Sequence, residues 1–223
     1  MSAEKRITKR LMKEDRLVST TFKATEYIQK NQTAFIIGGI AVVVIFSAIL
    51  LIKMNASRKV SESYALLFQS EMVAAGGQMD QYMADLALLA DNYSGTTAAK
   101  IATLRLANTY FDQTNYDKSE SYYTILTKKY SSDKMVATIG AAGIAACYEA
   151  KGNFAEAAKY YSQAAAYKSG DLWTPAYLLR AGQNYAKAGD KKSAEAAYDQ
   201  IEKQYANSSE TSTAKRYRAE LAD

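Results

Sequence analysis

The side chains that most often carry chemistry are scarce in this sequence. It contains no histidine, so the commonest general base near neutral pH and the commonest neutral metal ligand are both missing. One cysteine, Cys147, rules out an intrachain disulfide and a multi-cysteine metal site. Its setting in the run AAGIAAC, next to Tyr148, reads as a small apolar packing residue rather than a reactive thiol. Carboxylates such as Glu195 and Asp199 are one helical turn apart, the spacing of a solvated helix face. No glycine-rich phosphate loop or nucleophile elbow is present. No catalysis, no metal and no cofactor are therefore expected. Net charge is +5, but residues 1–32 hold eight Lys/Arg against four acids, leaving 20 basic and 19 acidic residues in the rest. That near-neutral remainder predicts no nucleic-acid surface. Binding rather than chemistry is the expectation left, and most of the eighteen tyrosines read as core rather than as a stacking surface for nucleic acid or sugars.

The elements that would position a binding surface are helices. A single proline, Pro175, in a chain rich in alanine favours an all-α fold. Thr33 to Ile52 reads TAFIIGGIAVVVIFSAILLI, twenty residues without a charge. At 1.5 Å per residue this spans about 30 Å, the thickness of a bilayer core, and it lacks the polar face of a soluble helix. A single transmembrane helix is predicted, too long and too far from the N-terminus for a cleaved signal peptide. Eight basic residues precede it, and only Lys53, Arg58 and Lys59 follow closely, so the leader is expected in the cytosol. Within the leader Ile7, Leu11, Val18 and Phe22 suit either a basic amphipathic helix on the headgroups or a solvated tail.

Beyond the anchor the same constellation occurs three times. Ala107, Tyr110, Tyr116, Ser119 and Tyr123 are followed at identical internal spacings by Ala145, Tyr148, Phe154, Ala157 and Tyr161, then by Gly182, Tyr185, Lys191, Ala194 and Tyr198. Turn signals divide each copy at Thr114-Asn115, Gly152-Asn153 and Gly189-Asp190, where glycine or asparagine can take the left-handed conformation. Each copy is thus a helix hairpin, with a small residue allowing close approach and aromatic residues filling the space around it. A degenerate hairpin is expected before them, with a helix from about Ala56 to Ala75, a break at Gly76-Gly77 and a second helix from Met79 to Asn92. The polar stretch Thr213–Leu221 reads as a helix capping the stack.

These helix–turn–helix copies resemble the tetratricopeptide repeat, with 38 and then 37 residues between copies and the surplus near Ser131–Met135 and Ser169–Trp173. The predicted layout is a basic leader (1–32), a transmembrane helix (33–52), a linker helix with the degenerate hairpin (53–99), three repeats (100–208) and a capping helix (209–223). In architecture the chain is similar to the bacterial inner-membrane family that accompanies the Sec translocon and periplasmic chaperones. That resemblance implies an inner-membrane protein with its helical domain in the periplasm and translocon subunits, chaperones or exported chains as partners. Proteins of the Tol-Pal system and outer-membrane assembly lipoproteins carry related repeats, and they imply the alternative of a structural or coordinating role in an envelope complex.

A stack of hairpins presents a concave face formed by the first helix of each. Residues one helical step off the core belong there: Ile101, Leu104, Asn108 and Phe111; Ala142, Ala146 and Glu149; Leu179, Gln183 and Ala186. Being mostly apolar, this row predicts a groove for an apolar helix or an extended chain. Whether the terminal elements fill the groove, and whether the protein self-associates, is left open by the sequence.

Overall fold

The computed structural model describes residues 19–167 and 172–221. The leader residues Ile7, Leu11 and Val18, and residues 169–171 of the expected extension, lie outside the described residues. Every regular element among the described residues is a helix. They are α1 (described over residues 19–30), α2 (Gln32–Ala75), α3 (Met79–Asn92), α4 (Thr97–Asp112), α5 (Tyr116–Lys129), α6 (Lys134–Ala150), α7 (Phe154–Ala166), α8 (Thr174–Lys187), α9 (Lys191–Gln204) and α10 (Thr211–Glu220).

The chain divides into two units between Ser57 and Arg58, a division that falls within α2. The helix expected to start near Ala56 therefore has no start of its own. Lys53 to Lys59 contains neither glycine nor proline, so nothing in it interrupts a helix begun at Gln32. In the first unit the apolar side chains from Phe35 to Ile52 are all exposed. The helix is long and apolar enough to cross a membrane, and its apolar window has no buried residue.

In the second unit the helices from α3 onward stack in sequence, each packing on the next. At the hairpin turns, Thr114, Gly152 and Gly189 have φ of 59°, 75° and 82°. The residues after them, Asn115, Asn153 and Asp190, are N-caps with φ between −87° and −86° and ψ between 70° and 73°. The left-handed residue of the first turn is thus Thr114, not Asn115. Asn115 instead caps α5, its side chain accepting from the Lys118 amide at 3.3 Å. A β-branched residue in the left-handed region is costly, whereas the other two turns use glycine. Thr114→Gly is accordingly expected to raise stability by about 1 kcal/mol, read from the denaturant midpoint. A lower midpoint would mean that the threonine side chain makes contacts that outweigh its strain.

Gly77 and Gln78 repeat the same geometry, with φ of 77° at the glycine and φ −86°, ψ 69° at the N-cap. The end of α2 and α3 therefore form a fourth hairpin in register with the others. In it Ser70 holds the small position of Ala107, and Leu86 holds the large position of Tyr123. Both are fully buried.

Packing follows the small-and-large alternation. Ala107, Ala145, Ser119, Ala157 and Ala194 are completely buried, and Gly182 is buried with them. Tyr123, Tyr161 and Tyr198 are buried as well. Ser119 also donates through Oγ to the Ala107 carbonyl at 2.8 Å, tying α5 to α4. Each large tyrosine needs a small residue beneath it. A Cβ added at Gly143 would lie 2.3 Å from Cε1 of Tyr123 in the preceding hairpin, and one at Gly182 would lie 2.3 Å from Cε1 of Tyr198. Cys147 is buried in the same interface, with Sγ 3.3 Å from Ser119 Oγ, and burial pushes its thiol pKa up. It is an inert packing residue. At the far end α10 packs on α9 and α8, burying Ala214, and Arg218 donates to Asp199 and Glu202.

Candidate functional site

The first helices of the repeats, α4, α6 and α8, carry all ten residues assigned to the concave face. None is fully buried. Asn108 is exposed, and Ile101, Leu104, Phe111, Ala142, Ala146, Glu149, Leu179, Gln183 and Ala186 are half-buried. Their environments divide the row into an apolar end, a small-residue middle and a charged cluster.

At the apolar end Ile101 and Leu104 line a cleft of about 240 Å³ with Thr97, Lys100, Leu126, Asp133, Val136 and Ile139. Lys100 Nζ bridges to Asp133 Oδ2 at 3.0 Å on its border. That lysine and the Val136 amide hold the Asp133 carboxyl below the usual carboxylate range. Ile139 and Val136 are lining residues that the sequence reading did not include. Ile139 stands in α6 where Ile101 stands in α4, one repeat of 38 residues earlier, so the register itself carried that signal.

Leu104 and Phe111 also pack on the buried cluster of Ala107, Tyr123, Leu126 and Ile144. Ile101 packs on the first-hairpin cluster around Leu67 and Leu86, and Leu179 and Ala186 pack on the cluster of Leu178, Tyr198 and Ala214. The terminal elements thus reach both ends of the row. A charge placed at Leu104, Phe111 or Leu179 would disturb these clusters as well as the face. Ala142 packs on the cluster of Ala145, Tyr161 and Ala181, whereas Ala146 belongs to none of these clusters and is the position in the middle where a substitution can change the face with least effect on the packing.

The charged cluster surrounds Glu149. Its carboxylate accepts from Tyr161 Oη at 3.0 Å, Arg180 Nη1 at 3.3 Å and Lys187 Nζ at 3.3 Å, so α6 is joined to both α7 and α8. Burial opposes its ionisation, but the Tyr161 hydroxyl, Lys187 and Arg180 outweigh burial and leave the carboxyl below its ordinary range. Burial and the neighbouring Glu149 charge push the Tyr161 hydroxyl up. Asn108 has a related task, its Oδ1 accepting from Tyr123 Oη at 2.6 Å. Burial pushes the Tyr123 hydroxyl up to about 12. Arg180 and Lys187 are absent from the sequence-derived row, which consequently looked more apolar than the structure makes it.

Chemically this face can hold a chain by apolar contact at one end and by hydrogen bonds or ion pairs near Glu149. Among solved structures the chain is similar to the crystal structure of BtubC (BKLC) from P. vanneervenii, with 15% sequence identity and a TM-score of 0.52. The likeness covers 72% of this chain and 64% of that one, and at this identity it concerns the fold alone. No curated protein sequence gives a significant match. The family model for the tetratricopeptide repeat-like domain matches residues 25–218. With matching hairpin geometry, buried small-and-large positions and a family match over most of its length, the chain belongs to the tetratricopeptide repeat-like domain family.

Proposed function

We propose that this protein is a membrane-tethered scaffold whose helical domain holds partner proteins on its concave face, as a non-enzymatic companion of the Sec translocon. In this reading residues 33–52 cross the bacterial inner membrane, the basic leader stays in the cytosol and the repeats stand in the periplasm. Exported chains or periplasmic chaperones occupy the face formed by α4, α6 and α8. The observation that carries the reading is the union, in one chain, of an apolar helix with no buried residue in its apolar window and a tetratricopeptide array whose first helices leave a row of residues only half-buried.

Tethering supplies the mechanism. A weak groove held at the exit of a channel meets emerging segments at a high effective concentration, so modest affinity suffices for transient capture. The apolar end accepts hydrophobic side chains, and the Glu149 cluster gives a backbone or polar side chain somewhere to bond.

The test is crosslinking in intact membranes from a photoreactive residue at Gln183, followed by identification of the adducts. Translocon subunits, chaperones or exported chains are expected. Introducing Ala146→Lys should cut that yield by about tenfold. Lysine stems can lie along the surface with their charges in water, so helicity should be retained. Wild-type yields from this variant would remove the concave face from the mechanism, and adducts confined to envelope-complex subunits would favour a coordinating role.

A further inference from the structure

Two of the repeats carry a second, half-buried aromatic pair outside the large-and-small contact. Tyr110 of α4 stacks on Tyr122 of α5, with ring centroids 5.6 Å apart and planes inclined by 10°. One repeat later Tyr148 of α6 stacks on Tyr160 of α7 at 5.6 Å and 12°. The third repeat keeps the first partner as Tyr185 of α8, but the equivalent of Tyr122 and Tyr160 in α9 is Ala197. Among the described residues no ring pairs with Tyr185.

A cleft of about 440 Å³ opens at this place. Tyr185 and Leu178 belong to its α8 wall, Ala165 and Ser162 to its α7 wall, and Ala197 and Gln200 to its α9 wall. A cleft of this size falls within the ordinary range for ligand sites. Its lining is mixed: small apolar residues and a tyrosine ring lie beside hydroxyl and amide groups.

We propose that this cleft is a docking site for an exposed tyrosine side chain of a partner polypeptide, separate from the concave face. The choice of occupant comes from the molecule itself. In the two preceding repeats the same place, between the same kinds of helix, is taken by a tyrosine stacked on the residue equivalent to Tyr185. A ring entering from outside would find that stacking surface already positioned, with Ala197 leaving the room that Tyr122 and Tyr160 occupy in their own repeats. Tyrosine suits it better than an aliphatic side chain, because its apolar ring matches the alanine-lined walls and its hydroxyl can meet the polar groups at Ser162, Gln200 and Tyr205. Offset stacking on Tyr185 is a contact that leucine cannot make.

The test uses the full chain in lipid nanodiscs and ligand-observed saturation-transfer NMR, with N-acetyl-tyrosinamide and N-acetyl-leucinamide as probes. The tyrosine amide is expected to bind saturably and the leucine amide at least tenfold more weakly. Ala197→Tyr rebuilds the internal pair, and it should abolish tyrosine-amide binding without lowering the unfolding midpoint. Should that variant misfold, Tyr185→Leu decides, since it removes the stacking surface and leaves the cleft open; binding should fall at least tenfold with helicity retained. Equal binding of the two amides would overturn the proposal, as would unchanged binding in a folded Ala197→Tyr or Tyr185→Leu variant. So would a wild-type dimer that Ala197→Tyr converts to monomer, because the occupant would then be a second copy of the chain.

Discussion

Gly182→Leu is expected to lower stability by about 3 kcal/mol or more, the upper end of what overpacking a buried contact costs. Replacing a helical glycine normally helps, since alanine gains up to about 1 kcal/mol over glycine in a helix interior. Here the tertiary contact decides the sign. Any Cβ at position 182 falls 2.3 Å from Cε1 of Tyr198, a ring that is only 1% exposed. The ring cannot retreat freely, because Ile201 and Ala214 are completely buried in its cluster and Tyr217 of α10 lies 6.1 Å from it, centroid to centroid. Ala188→Leu, at an exposed position just past the end of α8, serves as the control and should change stability by less than about 0.5 kcal/mol. Urea denaturation followed by circular dichroism reads both. Similar midpoints for the two variants would show that the α8–α9 contact is looser than described.

Deleting residues 33–52 is expected to move nearly all of the protein from the carbonate-washed membrane pellet to the soluble fraction. The rest of the chain should unfold at an unchanged midpoint. No side chain between Phe35 and Ile52 is buried and none belongs to the buried clusters that run from Leu67 to Ala214, so those clusters keep all their members when this stretch is removed. Orientation is read separately in the full chain. The proposed topology, which rests on eight basic residues before the apolar stretch and three close behind it, predicts that a protease added to the periplasmic side digests the repeats and spares the leader. A deletion variant that stays in the pellet would place membrane attachment elsewhere. Protection of the repeats with loss of the leader would reverse the topology.

Much of this could be read directly from residue types. The apolar stretch needs no partner to be recognised, because twenty uncharged residues without a polar face stand out by residue type alone. The repeats were legible because helical spacing ties Ala107 to Tyr110 in α4 and Ser119 to Tyr123 in α5, and a small residue facing a large one leaves few ways to pack two helices. The same constellation 38 and 37 residues later fixed the stack. Glycine at Gly152 and Gly189 marked two turns whose left-handed backbone it tolerates.

Other features had no local signal. The Gly76-Gly77 break marked the first hairpin as a degenerate copy, but its register with the others did not show by residue type, because Ser70 and Leu86 take the places of alanine and tyrosine. Thr114 adopts a conformation that its own side chain disfavours, and only the pull of the helices on either side accounts for it. The Glu149 cluster joins residues 31 and 38 positions apart, and which lysine or arginine reaches the carboxylate depends on how α6 and α8 are set side by side. By itself, then, the sequence determined what each helix must bury, since burial follows from local periodicity and side-chain size. Which charges meet, which face stays half-covered and where a missing ring opens a cleft were decided by the tertiary structure, because they depend on distances between helices that no single segment encodes.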